Sequence, residues 1–151
     1  MLVKNVIGII EACAPPVYQE SYDNCGLQVG NPESEVAGVL LTLDVTEGVV
    51  DEAIERGCNM IVAHHPVLFT GLKQISGRNY VERIVMKAIK NDVSIYAAHT
   101  NLDNVYAGVN AKIGEKLGLV NTRILAPKQG VLSKLYTYVP VAAADKVRGI
   151  G

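Results

Sequence analysis

The sequence predicts an α/β fold in which short strands alternate with amphipathic helices, followed by the opening of a second, incomplete unit. Three observations carry this. Short apolar runs end abruptly, most clearly Asn59–Ala63 before His64-His65-Pro66. A strand that is apolar on both faces belongs inside a parallel sheet. Stretches with helical spacing separate these runs, and the joints between them are short. That order makes a βαβ unit, whose crossover is right-handed.

Each element has its own reason. Val3–Cys13 carries apolar residues at positions 3, 6, 7, 9, 10 and 13, a helical spacing that Pro15-Pro16 ends. Ser21–Gly30 is rich in Asp, Asn and Gly and reads as a turn leading into a short strand, Leu27–Val29. Val36–Leu43 is an apolar strand closed by Asp44. Thr46 then caps a helix over Glu47–Arg56, and Gly57 stands at its C′ position. The Asn59–Ala63 strand follows directly. Val67–Gly77 has no sustained period and reads as a loop over the site. Asn79–Lys90 is helical, with Tyr80, Val81, Ile84, Val85, Ala88 and Ile89 as its buried stripe. Val93–Ala98 is a further strand that ends at His99. A helix over Val105–Leu117, begun near Asp103 or Asn104, stops at Gly118. From Leu119 the character changes: a turn at Pro127–Gly130, a strand-like run Val131–Pro140, then helix from Ala142 to Ile150. The expected division is an α/β domain over 1–125, with 126–151 as linker and the beginning of a second unit. One strand and barely two helical turns do not make a domain, so the polypeptide reads as truncated.

Composition narrows the function. The 151 residues suffice for one domain with a real core. Hydrophobic residues make up 49% and charged residues 19%, a globular rather than disordered balance. No apolar stretch reaches transmembrane length, and Lys4, Asn5 and Glu11 spoil a signal-peptide reading of Leu2–Ile10. A net charge of −1 offers no basic footprint for nucleic acid and no polybasic anchor for a membrane. Cys13, Cys25 and Cys58 are odd in number and widely spaced, which indicates neither a disulfide framework nor a CxxC knuckle. A cytoplasmic protein is the default expectation.

All three histidines fall at or just past predicted strand ends. Open α/β sheets place ligands and catalytic groups at the carboxyl ends of their strands. His64 and His65 are therefore candidates for metal binding or acid–base work. Adjacent residues in a strand point to opposite faces, but a turn at the strand end redirects the second side chain. Asp103 adds a hard oxygen beside imidazole nitrogen, a donor set suited to zinc, manganese, iron or nickel; it also has a plain role as a helix-start carboxylate. His99 is a ligand, a proton shuttle, a donor behind the ligands, or a histidine that merely holds its loop. Asp44 is a turn former or a contact of the site. Cys25 lies in a polar segment with no histidine near it in sequence, a weak setting for a nucleophile. Glu47 and Glu82 read as solvated helix faces. Neither a GxxxxGK[ST] loop nor a GxSxG turn occurs, so metal-activated water is the catalytic device with visible parts.

Four segments carry a resemblance: Tyr22–Gly30, Leu43-Asp44-Val45-Thr46, Val62–Pro66 and Tyr96–Asp103. In this order they resemble the NIF3-like family, the GTP cyclohydrolase 1 type 2 homologues. Tyr22 stands where members often have tryptophan, and Cys25 where many have valine. The resemblance implies an NIF3-like α/β half-domain followed by the start of an inserted α+β domain, which the run Leu135–Pro140 with Lys146-Val147-Arg148 resembles, and two metal ions per complete member, held between two α/β halves. His64 would bind one ion, His65 and Asp103 the other, and His99 would line the cavity as a candidate catalytic group. The family's remaining ligands come from a C-terminal HxxxE segment that nothing here matches. The resemblance also implies a small-molecule substrate and homo-oligomers of the full-length form. Three functions stay in play: a metal-dependent hydrolase, a non-catalytic metal-binding regulatory or interaction protein, and an incomplete, inactive fragment.

Overall fold

The computed structural model describes residues 1–126 and 136–148. Its centre is a four-stranded sheet built from β1 (Gly26–Val29), β2 (Val39–Thr42), β3 (Met60–Ala63) and β4 (Ser94–Ala97), in the order β1-β4-β3-β2. β2, β3 and β4 run parallel, in registers that pair Val39 with Met60 and Met60 with Ser94. β1 joins the outer side of β4 antiparallel, with a register shift between Leu27 and Val29. Gly30, just past β1, has φ +118°. A Cβ there would lie 2.3 Å from Ser94 Oγ, so only glycine lets this edge close onto β4.

The alternation of β3 and β4 side chains divides the core in two. Ile61, Ala63 and Ile95 pack with Val50 and Ala53 of α2 (Glu47–Glu55) and with Ile84, Val85 and Ala88 of α3 (Tyr80–Lys90). Met60, Val62 and Tyr96 pack on the other side with Val3, Val6, Ile7 and Ile10 of α1 (Val3–Cys13). Burial on both faces is why these strands read as continuous apolar runs. Tyr96 is fully buried, and its hydroxyl donates to Glu11 Oε1 at 3.2 Å. Burial first, then the Glu11 carboxylate, pushes its pKa upward.

Thr46 caps its helix as expected, and Asn79, expected inside its helix, is a cap as well. Thr46 Oγ1 accepts from Val49 N, and Asn79 Oδ1 from Glu82 N. Gly57 and Gly118 adopt positive φ past helix ends, as their C′ positions require.

Two expectations change. The helix expected over Val105–Leu117 is shorter, α5 (Val109–Lys116), and a separate turn of helix that was not expected, α4 (Thr100–Asp103), precedes it. Between them a turn closes from Gly108 N to Val105 O, and a Cβ on Gly108 would lie 2.2 Å from the Leu102 carbonyl oxygen. The chain doubles back there instead of continuing as helix. The strand-like run Val131–Pro140 is described only over 136–140, which form no strand; its first half, and the turn expected at Pro127–Gly130, lie outside the described residues. A short helix, α6 (Ala144–Arg148), stands where helix was expected from Ala142.

Candidate metal centre

The site lies past the carboxyl ends of β3 and β4. Pairing with β2 continues beyond β3, as His64 N donates to Thr42 O and His65 N to Leu43 O. The chain then turns at Pro66, which has no N–H to extend the ladder. The turn brings both imidazoles together, with ring centroids 4.9 Å apart and tilted by 50°. His99, past β4, joins them at 5.2 Å from His64 and 5.5 Å from His65. One ring nitrogen of each histidine lies within 4.8 Å of the other two.

What anchors each ring is decisive chemically. His64 Nδ1 is 2.9 Å from the Ala98 carbonyl oxygen. His65 Nδ1 is 2.8 Å from Asp44 Oδ1, and His99 Nδ1 is 3.0 Å from Asp23 Oδ1. A carbonyl or a carboxylate can only accept, so in all three rings Nδ1 carries the hydrogen, and in the neutral ring the lone pair lies on Nε2. Metal-binding imidazoles are oriented in this way by groups behind them. Asp103, on α4, sets Oδ1 3.7 Å from His64 Nε2 at the rim. As expected it is a carboxylate in the first turn of a helix, the four-residue α4, but it is not the cap of α4 or of the helix that follows. The loop expected over the site does reach it: Phe69 meets His99 edge-on at 5.7 Å.

The structure thus gathers His64, His65 and His99, sets Asp103 beside His64, and gives Asp44 the role of holding His65. Glu47 and Glu82 lie elsewhere. Glu47 pairs with Arg83 on the surface at 2.8 Å. Glu82 is not a solvated helix face. It is buried, and its carboxylate accepts from Ser76 N, Ser76 Oγ, Arg78 N and Asn79 Nδ2. The backbone N–H groups of Ser76 and Arg78 are the chief cause of its lowered pKa.

Asp23 is the residue that spacing missed. Its side chain is fully buried, and it accepts from His99 Nδ1, Asn24 N, Thr100 N, Thr100 Oγ1 and Cys25 Sγ. Burial alone would raise its pKa, but the bonds from Cys25, Thr100 and His99 outweigh this and hold the carboxyl well below the usual carboxylate range. Cys25 moves the opposite way. Burial and then the Asp23 carboxylate push its thiol up, which makes it a hydrogen-bond donor rather than a nucleophile. The available signal was the polar Tyr22–Gly26 segment itself, whose composition is also that of an ordinary turn.

A model of the family described as Duf34/NIF3 (NGG1p interacting factor 3) matches residues 1–150.

The chain belongs to the NIF3 family.

The chain is 42% identical over 146 residues to the GTP cyclohydrolase 1 type 2 homolog of Bacillus subtilis, covering 96% of this chain and 39% of that protein. The homolog of the same name from Clostridium acetobutylicum is 43% identical over 124 residues, covering 82% of this chain and 46% of its own length. A crystal structure of a Bacillus cereus protein related to NIF3 superposes with a TM-score of 0.81 at 42% identity, over 99% of this chain and 42% of that one. The chain therefore spans less than half the length of these relatives.

Proposed function

We propose that this chain holds a divalent metal ion on His64, His65 and Asp103, with His99 beside them as the proton-accepting group, and that the family's full-length form is a metal-dependent hydrolase. The observation that carries this reading is the set of three imidazoles, each anchored at Nδ1, with ring nitrogens within 4.8 Å of one another. Such a donor set fits a divalent ion: zinc first, with manganese, iron and nickel also suited. When bound, the ion supplies Lewis acidity and lowers the pKa of water in its coordination sphere.

The residues divide the work. Ala98 O and Asp44 keep the rings of His64 and His65 turned so that Nε2 can donate its lone pair. The Asp103 carboxylate brings negative charge to the same space. His99 Nε2 is free to take a proton, because Asp23 holds the hydrogen on Nδ1. Phe69 covers one edge of His99 and limits water there. A small-molecule substrate suits this reading. Among the described residues no helix is long and apolar enough to cross a membrane.

Zinc and manganese titrated calorimetrically into metal-free protein test the binding. One tight ion per chain is expected. Asp103→Ala or His64→Ala should weaken binding by more than about 100-fold, beyond the 10–100-fold effect of losing an outer-shell partner. Failure of the wild-type chain to bind either metal overturns the reading. Hydrolysis of GTP and simple phosphoesters, with and without the metal, then separates an enzyme from a metal-binding regulatory protein.

A further inference from the structure

We infer that Asp23 is the positioning residue of the site: it fixes His99 in the Nδ1–H tautomer and so determines that Nε2 is the nitrogen facing the chemistry. The Tyr22–Gly26 segment thereby acquires a function beyond that of a turn.

The argument is a count of donors. Five groups point at the two carboxylate oxygens of Asp23, and each of them can donate. Asn24 N and Thr100 N are backbone groups that can only donate. Thr100 Oγ1 already accepts from Glu20 N at 2.9 Å, so its proton is available for Asp23. An obligate backbone donor sits on each oxygen, Asn24 N on Oδ1 and Thr100 N on Oδ2, and this favours the ionised carboxylate. The hydrogen between Asp23 and His99 therefore resides on the imidazole. The other two histidines are held differently. His64 leans on a backbone carbonyl, and His65 on Asp44, whose side chain is 63% exposed. Only His99 depends on a buried side-chain anion, so its tautomer alone can be switched by changing one buried residue.

Asparagine at position 23 makes the prediction specific. Its amide has one accepting end and one donating end. If the amide nitrogen faces the Oδ2 partners, it meets the immovable Thr100 N–H. If it faces the Oδ1 partners, it meets His99, which can respond by moving its hydrogen to Nε2. The second arrangement conflicts with Asn24 N–H alone, and it converts His99 from acceptor to donor toward the site.

The inference rests on the metal-site reading only for its consequence, because the tautomer can be measured without metal. In ¹⁵N-labelled, metal-free protein near pH 8, above the ordinary histidine range, long-range ¹H–¹⁵N correlation spectra assign the hydrogen on each ring. His99→Gln identifies the His99 signals. The wild type is expected to show His99 as Nδ1–H. Asp23→Asn is expected to move the tautomer ratio about tenfold or more toward Nε2–H, the scale of a lost charged hydrogen bond, with His64 and His65 unchanged. An Nε2–H form of His99 in the wild type, or an unaltered ratio in a folded Asp23→Asn protein, overturns the inference. Should Asp23→Asn fail to fold, the wild-type spectrum still decides. A protein that binds no zinc yet shows the expected tautomers would defeat the metal reading and leave this inference standing.

Discussion

Asp23 and Glu82 show the same device put to two uses. Each is a carboxylate withdrawn from water and surrounded by donors, and in each case those bonds depress the carboxyl pKa. Around Glu82 every donor comes from residues 76–79, within six positions of it in the chain. The result is a local staple that fastens the end of a long loop to the first turn of α3. Around Asp23 two donors, His99 and Thr100, come from 76 and 77 residues away, and one of them is an imidazole of the site. A buried anion with local donors organises a loop; one that reaches across the fold can also set the protonation of a functional ring.

The largest expected effect separates the two. Asp23→Ala leaves the buried Thr100 amide, together with the Thr100 hydroxyl and His99 Nδ1, without its acceptor and should lower unfolding free energy by about 2–4 kcal/mol, read by urea denaturation. Glu82→Ala should act locally. The Ser76 and Arg78 amides should exchange with solvent roughly tenfold faster or more, while the His99 ring signals stay where they are. If Glu82→Ala moves the His99 signals, the two anchors are not independent and the comparison breaks.

Acid sharpens it further. The folded pKa of Glu82 lies below its unfolded value, so its contribution to stability is fully present above the unfolded carboxylate range, about 4.3. As pH falls through the folded pKa, the contribution is lost. Exchange at Ser76 and Arg78 should therefore accelerate below about pH 4 in the wild type, and Glu82→Gln should remove most of that pH dependence. The smallest effect belongs to the surface. Arg83 Nε donates to Glu47 Oε1 at 2.8 Å across α3 and α2, with both side chains more than a third exposed. Arg83→Gln should cost at most about 1 kcal/mol, and less in high salt.

What the sequence made legible follows from which interactions are periodic. The strands around Met60–Ala63 and Ser94–Ala97 are apolar on both faces, and a break in such a run is conspicuous, so His64, His65 and His99 could be found from their positions. The parallel order of β2, β3 and β4 followed from the strand–helix alternation for the same reason. Glu82 was misread because it lies off the apolar stripe of α3, and what buries it is a loop with no period of its own. Asp23 stayed hidden because its partners lie beyond any local window and its neighbours have turn composition. The break between α4 and α5 was hidden too, since position 108 is constrained by a carbonyl six residues earlier rather than by helical propensity.

The way the rings are tethered has a consequence for how the fold comes apart. His64 extends from the end of β3 to the backbone at the end of β4, and Asp103 meets it from α4. An ion engaging His64 and Asp103 would grip two segments distant in sequence, and could do so only while they are assembled. By linkage, an ion present at 100 times its dissociation constant should add about 2.7 kcal/mol to the work of unfolding. A chelator would then behave as a denaturant whose whole leverage passes through a few side-chain atoms.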